Sequence, residues 1–432
     1  MLIFRLRKIF LLALIVGSAI IPLTFIRLDE PTPRLLLFKM LAKTGSLAGA
    51  VLMFWQMLLG FRGAVSRLIP DLIWVLGLHK KIGTWITVLV ILHPIFITLY
   101  YLDKHETNLF AITQFSSFDI FVVLGIISLV LLFLIVVSSL YRLSFVNYTT
   151  WFSIHLTSYI LLPLVFIHSF PIGMTINETA LGYLWRGFAA ILIIFYLFRV
   201  AVRLGMFVKK HQVTKVTKEA PDVTRITMRP KSGKVNPKTG QFVFLRRGIT
   251  GSARPFTVSH YNRQTGEISV TVKALGKITT ALQEVRPEET MFIEGPYGIF
   301  THAALQNNRP LVMIAGGIGI TPFIRLFDEL AYEPGIELHL FYGNKYTHEI
   351  IYREEIDNVE HVNVVHVMSH DSDYPGEKGF ITVDMIKKYL NRELKEYEFL
   401  ICGPPVMTTK LIESLLLENI SADQIHYERF SY

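Results

Sequence analysis

The rhythm of hydrophobic and polar positions changes near residue 211. Before it, apolar residues run in six stretches, at about 9–26, 38–60, 82–102, 119–141, 151–171 and 183–205. Each is about 20 residues long, enough to cross the ~30 Å hydrocarbon core of a bilayer as a helix. The shorter segment 66–78, SRLIPDLIWVLGL, contains Pro70 and is expected to lie at the inner surface or to re-enter. After 211 the runs shorten and alternate: VTKVTKEA, VTRITMRP, QFVFLRRG, EISVTVKA and TMFIEGP, separated by turn signals such as NPKTG and QTG. Short, regularly spaced strands predict an antiparallel barrel. From about 309, apolar strands (PLVMIAGG, IELHLFYGN, VNVVHVM, EFLICGPP) alternate with helical patterns, which predicts a doubly wound parallel sheet. The fold expected is therefore multidomain: a six-helix transmembrane bundle over 1–210, an antiparallel β-barrel over 211–306 and an α/β doubly wound nucleotide-binding domain over 307–432.

Charge orients the spans. Arg5, Arg7 and Lys8 precede the first; Arg62, Arg67, Lys80 and Lys81 lie between the second and third; Arg142 follows the fourth; Arg199, Arg203, Lys209 and Lys210 end the sixth. All fall on one side, which the excess of Lys and Arg marks as cytoplasmic. The opposite loops carry Asp29, Glu30, Asp103, Glu106 and Glu178, although Arg27, Arg34 and Lys39 also stand in the first of them. An even number of spans places both termini in the cytoplasm and makes a multi-pass protein of the cell membrane.

Two spans carry histidines near both ends: His79 and His93 in the third, His155 and His168 in the fifth. Imidazole is costly in hydrocarbon and marks a functional site there. A single such histidine is as readily a helix-end residue that bonds a neighbouring helix. Four in two matched pairs point instead to groups held between two helices. At ~1.5 Å per residue the two histidines of a span stand ~20 Å apart, most of the bilayer core. Spans three and five run parallel in this topology, which pairs His79 with His155 and His93 with His168. Two haems, each with one axial histidine from each helix, would use this arrangement. The spacing in the fifth span leaves His168 off the face of His155; a kink at Pro163, or a rotation of one group relative to the other, would accommodate that.

Composition narrows the chemistry. The net charge of +9 comes with no long basic run and is read as membrane orientation, not nucleic-acid binding. The single cysteine, Cys402, excludes within this chain disulfides, cysteine-ligated zinc and a cysteine-ligated iron–sulfur cluster.

The second half carries several short motifs. Arg254-Pro255-Phe256-Thr257 offers an aromatic and a hydroxyl for a flavin ring and an arginine for pyrophosphate. Lys273, Gly276 and Thr279 form a glycine turn suited to a second phosphate contact. Gly295-Pro296-Tyr297-Gly298 closes the barrel. Gly316, Gly317 and Gly319, followed by Thr321 and Pro322, lie between a buried strand and a helix, where backbone can approach a phosphate. Cys402, Gly403 and Pro404 end another strand at the edge where such sheets bind ligands. Asn344 and Lys345 close the second strand where an acid would hold a ribose hydroxyl, which leans towards a 2′-phosphate and NADPH, with NADH as the other possibility.

Taken in order, these residues resemble the ferric reductase and NADPH oxidase superfamily: paired-histidine helices, RPFT, GPYG, AGGIGITP, CGPP and a C-terminal aromatic. The similarity covers nearly the whole chain, a ferric-reductase-like membrane half followed by a ferredoxin–NADP reductase module. It implies that His79, His93, His155 and His168 ligate two b-type haems. It implies that Arg254, Phe256, Thr257, Lys273, Gly276 and Thr279 contact FAD. Gly316, Gly317, Gly319, Thr321, Pro322, Cys402, Gly403 and Pro404 would hold the nicotinamide nucleotide, and Phe430 would stack on the flavin ring. Such a protein passes electrons from cytoplasmic NADPH through FAD and haem to an outer acceptor. Oxygen, giving superoxide, is favoured here because the outer loops are short; a ferric chelate or a partner protein are the alternatives. Non-redox transport by the histidines is the remaining reading. No regulatory extension or docking segment is evident, and constitutive activity is expected.

Overall fold

The computed structural model describes residues 2–61, 65, 68–109, 116–141, 146–249, 251–302, 304–307, 309–330 and 336–429. The chain divides into two compact units, Met1–Val200 and Ala201–Tyr432.

Among the described residues six helices are long and apolar enough to span a membrane: Arg5–Phe25, Pro33–Leu59, Leu72–His105, Ser117–Leu140, Thr150–Ile172 and Leu181–Arg203. Their starts follow from local sequence. Thr32, Asp71, Ser116 and Asn147 each cap a helix by accepting a backbone N–H with the side chain. Side chains such as Leu134, Ile193, Ile194 and Leu197 face outward, as a surface solvated by lipid requires.

The structure corrects two expectations. Residues 72–78 are not a re-entrant segment; they extend the third span, which starts behind the Asp71 cap and runs 34 residues. Pro70 precedes that cap, where it does not interrupt the helix. Ser66, Arg67, Arg62 and Arg142 lie outside the described residues. The fifth span is interrupted at Thr157, between Tyr148–Leu156 and Ser158–Ile172, not at Pro163 itself. Pro163 has no N–H for the Tyr159 carbonyl one turn earlier, and the Tyr196 hydroxyl donates to that carbonyl instead.

The basic residues that disturbed the charge rule are neutralised. Arg27 pairs with Glu178 (3.3 Å), Arg34 with Asp103 (3.4 Å), and Lys39 with Asp29 (2.8 Å) and Glu30 (2.7 Å). Glu30 also accepts from Lys104 and Tyr100 at 2.9 and 2.8 Å. A carboxylate as buried as this one persists only with such partners.

In the second unit, six antiparallel strands close a barrel: β1 (Lys209–Ala220), β2 (Val223–Ser232), β3 (Phe242–Arg247), β4 (Arg254–Tyr261), β5 (Ile268–Lys273) and β6 (Thr290–Tyr297). Their order is β1-β2-β5-β4-β3-β6. Alternate residues such as Val213, Ile226, Val243, Val258 and Val270 fill the interior. The remaining strands are β7 (Leu311–Gly316), β8 (Leu338–Asn344), β9 (Val362–Met368), β10 (Glu377–Lys378), β11 (Glu398–Gly403) and β12 (Ile425–Arg429). They form a parallel sheet of order β10-β9-β8-β7-β11-β12. Alternation sends Met313, Leu340 and Leu400 to one apolar layer and Ile314, Phe341 and Ile401 to the other, so both faces are covered. The edge strand β12 was not evident from the sequence. The order reverses between β7 and β11, the crevice in which such sheets bind ligands.

Barrel and sheet meet at Tyr352, a buried residue with φ +57°. Its hydroxyl bonds Ser259 on β4 and Thr271 on β5, and burial raises its pKa to about 12. Alongside, Glu355 pairs with Arg225 (2.8 Å) and His260 (2.9 Å).

Candidate functional site

The histidines of the third and fifth spans meet as two pairs. The His79 and His155 rings have centroids 6.1 Å apart, crossing at 62°; those of His93 and His168 are 6.3 Å apart, at 69°. Spans three and five therefore run parallel. The sixth runs back along the fifth, because Trp185 bonds Ser169 while Tyr196 bonds Tyr159. The chain thus leaves the helical unit at the His79–His155 end.

Three of the rings are oriented through Nδ1. His79 donates to the Gln56 carbonyl (3.1 Å), His93 to that of Ala42 (3.2 Å) and His168 to that of Phe121 (2.6 Å). A carbonyl only accepts, so each of these nitrogens carries the proton and leaves Nε2 with its lone pair. Gln56 lies in the last turn of its helix, where its carbonyl also accepts from the Gly60 N–H (3.2 Å). Ala42 sits where the second span changes from α to π pairing at Thr44–Ala48, a device that recurs at functional sites. Glycines let the helices approach: a Cβ at Gly125 would stand 2.5 Å from His168 Cε1, and one at Gly45 2.7 Å from the His93 backbone nitrogen.

This arrangement fits a six-coordinate haem iron in each pair. Two iron–nitrogen bonds of about 2.0 Å and two ring half-widths of about 1.1 Å place centroids about 6.2 Å apart. Outer-shell carbonyls on the second nitrogen are what metal-ligating histidines ordinarily have. Among the described residues no group of three or more His, Cys, Asp or Glu side chains forms an alternative metal site.

In the second unit, β4 places Thr257 and Phe256 on opposite faces. Phe256 packs partly against the barrel core, whereas Thr257 is buried with its Oγ1 unpartnered, a hydroxyl available to a flavin edge. Arg254 begins the strand and pairs in register with Leu245. Lys273, at the end of β5, lies 3.4 Å from Asp222. Thr279 does not present a free hydroxyl to a phosphate as the turn had suggested. It accepts from the Leu275 and Gly276 N–H groups (2.9 and 3.0 Å) and closes the turn itself.

The structure brings AGGIGITP and CGPP together across the switch point. A Cβ at Gly319 would lie 2.1 Å from the Cys402 oxygen, one at Gly316 2.7 Å from Pro404, and one at Gly403 3.0 Å from the Gly316 nitrogen. Gly317 has φ +52° and open space around it. Thr321 is buried and its hydroxyl donates to the Ile318 carbonyl (3.1 Å), so it braces the loop, with Pro322 buried beside it. Lys345 is exposed after β8, and the buried Nδ2 of Asn344 has no partner.

One residue escaped sequence reasoning. Glu428, on β12, is the register neighbour of Cys402. It is buried, its Oε2 is unpartnered, and burial raises its pKa to about 8. Burial also pushes the Cys402 thiol well above its usual value, with Glu428 adding to the effect. The only sequence signal was an acid in a short run before the terminal aromatic. Phe430 lies outside the described residues.

These features define a membrane-embedded oxidoreductase with flavin- and nicotinamide-binding modules. Family models match its parts in turn: the ferric reductase like transmembrane component over 44–166, the oxidoreductase FAD-binding domain over 210–302 and the oxidoreductase NAD-binding domain over 313–412. This combination of a ferric-reductase-like membrane domain with FAD- and NAD-binding oxidoreductase domains matches the ferric reductase and NADPH oxidase superfamily. Among curated relatives it is 29% identical over 206 residues to the toluate 1,2-dioxygenase electron transfer component of Pseudomonas putida, covering 44% of this chain and 58% of that one. It is 26% identical over 203 residues to the plasma membrane-associated coenzyme Q6 reductase of Saccharomyces cerevisiae, covering 44% and 64%. The matches thus span less than two thirds of these relatives. Among solved structures, the ferredoxin reductase of carbazole 1,9a-dioxygenase is 24% identical with a TM-score of 0.47, covering 52% of this chain and 69% of that one. A ferredoxin NADP+ reductase from Neisseria gonorrhoeae is 17% identical with a TM-score of 0.47, covering 52% and 99%.

Proposed function

We propose that this chain carries electrons across the cell membrane from cytoplasmic NADPH, through FAD and two b-type haems, to oxygen on the outer side, giving superoxide. The observation that carries the reading is the pair of imidazole pairs at haem-ligating separation. The balance is one NADPH and two oxygen molecules giving NADP+, a proton and two superoxide ions. When bound, FAD divides the electron pair of a hydride into single electrons and the haems pass these on singly.

The chain's own residues supply position. His79 with His155, and His93 with His168, would hold the two redox sites about 20 Å apart along the unbroken helix of the third span. Thr257 offers its unpartnered hydroxyl to the flavin edge, with Arg254, Phe256 and Lys273 around the dinucleotide. Gly316, Gly317, Gly319 and Gly403 admit the nicotinamide nucleotide at the switch point. Cys402 and the protonated Glu428 keep the floor of that crevice uncharged. Asn344 and Lys345 favour the 2′-phosphate of NADPH over NADH. Oxygen suits the far end because Asp29, Glu30, Asp103 and Glu178 are each engaged in ion pairs, leaving those acids committed and unavailable to a ferric ion. Basic residues at the opposite end orient both termini to the cytoplasm.

The test is NADPH-dependent reduction of cytochrome c by the purified chain in liposomes. Inhibition by superoxide dismutase is expected. Reduction of ferric chelates with no dismutase-sensitive signal would replace oxygen as acceptor, and a preparation without a Soret band would remove the haem reading.

A further inference from the structure

The two imidazole pairs are held unequally. Both rings of the His93–His168 pair donate Nδ1–H to a carbonyl, and so does His79. The Nδ1 of His155 is buried and has no partner. No hydrogen bond therefore fixes its tautomer or its rotation. What it has is Trp151, one turn earlier, stacked on the imidazole with centroids 5.2 Å apart and planes at 29°. The indole is itself fixed: its N–H donates to Ser139 Oγ on the fourth span (3.1 Å), and Ser139 donates to the Ile135 carbonyl (2.6 Å).

We propose that Trp151 is the positioning residue of His155, taking the place of the missing carbonyl, and that it sets the reduction potential of the His79–His155 site alone. This rests on the haem reading above. Two effects support it. A histidine whose second nitrogen donates to a carbonyl is a more basic ligand, and His155 lacks that contribution. The stacked indole also covers the ligand with apolar surface, and burial is one of the levers that set a haem potential. Removing the indole admits water, which favours the more highly charged oxidised state and lowers the potential.

The experiment is a spectroelectrochemical titration of the purified full chain, with haem content and low-spin EPR recorded alongside. Trp151→Leu is expected to lower one of the two midpoint potentials and to shift one of the two EPR signals, leaving the other of each unchanged. Trp151→Phe, which keeps a stacking ring, returns both readouts towards the wild type. If the leucine variant fails to accumulate, Ser139→Ala, which releases the indole, moves the same single signal. Two bound haems whose potentials and signals are unmoved, or which move equally, would overturn the proposal. Wild-type protein without haem would instead overturn the reading on which it rests.

Discussion

A methyl group at position 125 should cost the chain one haem. Gly125 lies one turn after Phe121, whose carbonyl accepts from His168 Nδ1 at 2.6 Å. A Cβ there would stand 2.5 Å from His168 Cε1, 2.7 Å from Nδ1 and 3.1 Å from Nε2. Ordinary contact begins near 3.4 Å, so the ring must recede by about 0.9 Å (3.4 less 2.5). Metal–ligand distances tolerate about 0.2 Å. The same retreat stretches the bond to Phe121 towards 3.5 Å, where it no longer counts as one. Backbone destabilisation is not the cause, since alanine is favoured over glycine within a helix by about 1 kcal/mol. Gly187→Ala is the matched control, because a Cβ there meets nothing within 4 Å. The assay is haem per polypeptide in purified protein: two for wild type and G187A, close to one for G125A, with the His79–His155 signal intact. A G125A protein that retained two haems and an unshifted spectrum would refute the claim that the His168 ring is held where the structure places it.

Three further outcomes are expected. Glu428→Gln should remove a pH dependence of stability. The folded pKa is raised from 4.5 to about 8, so the wild-type contribution is complete below about 4.5 and is lost as pH rises through about 8, by up to about 1.4 kcal/mol per unit. Thermal midpoints followed by flavin fluorescence should therefore converge at low pH, with the variant more stable at high pH; parallel curves would count against it. Thr257→Val keeps the strand and removes the unpartnered hydroxyl; we expect FAD affinity to fall roughly tenfold, the scale of one hydrogen bond of about 1.4 kcal/mol, read by flavin retention on dilution. Lys345→Glu should lower the NADPH to NADH ratio of kcat/KM at least tenfold, a like-charge effect on the 2′-phosphate; an unchanged ratio would place that phosphate elsewhere.

How much was legible in the sequence differs from element to element. Six spans, a barrel and a parallel sheet follow from hydrophobic period alone, because lipid, a half-buried strand and a doubly covered strand each impose a different spacing on apolar residues. The pairing of His79 with His155 and His93 with His168 followed too, since alternating spans leave it as the arrangement that puts like ends together. What period does not encode is how a ring is held. The Ala42, Gln56 and Phe121 carbonyls are backbone atoms without sequence identity, brought to the rings by the packing of neighbouring helices. The break at Thr157, the Thr279 hydroxyl turned inward, the ion pairs of Arg27, Arg34 and Lys39, and Glu428 beside Cys402 all depend on partners distant in sequence or on the local path of the backbone. Residue types and spacing thus determined which chemistry this chain carries. Tertiary structure alone decided which donors remain open for it, because a polar group is available to a ligand only when no neighbour in the fold has already satisfied it.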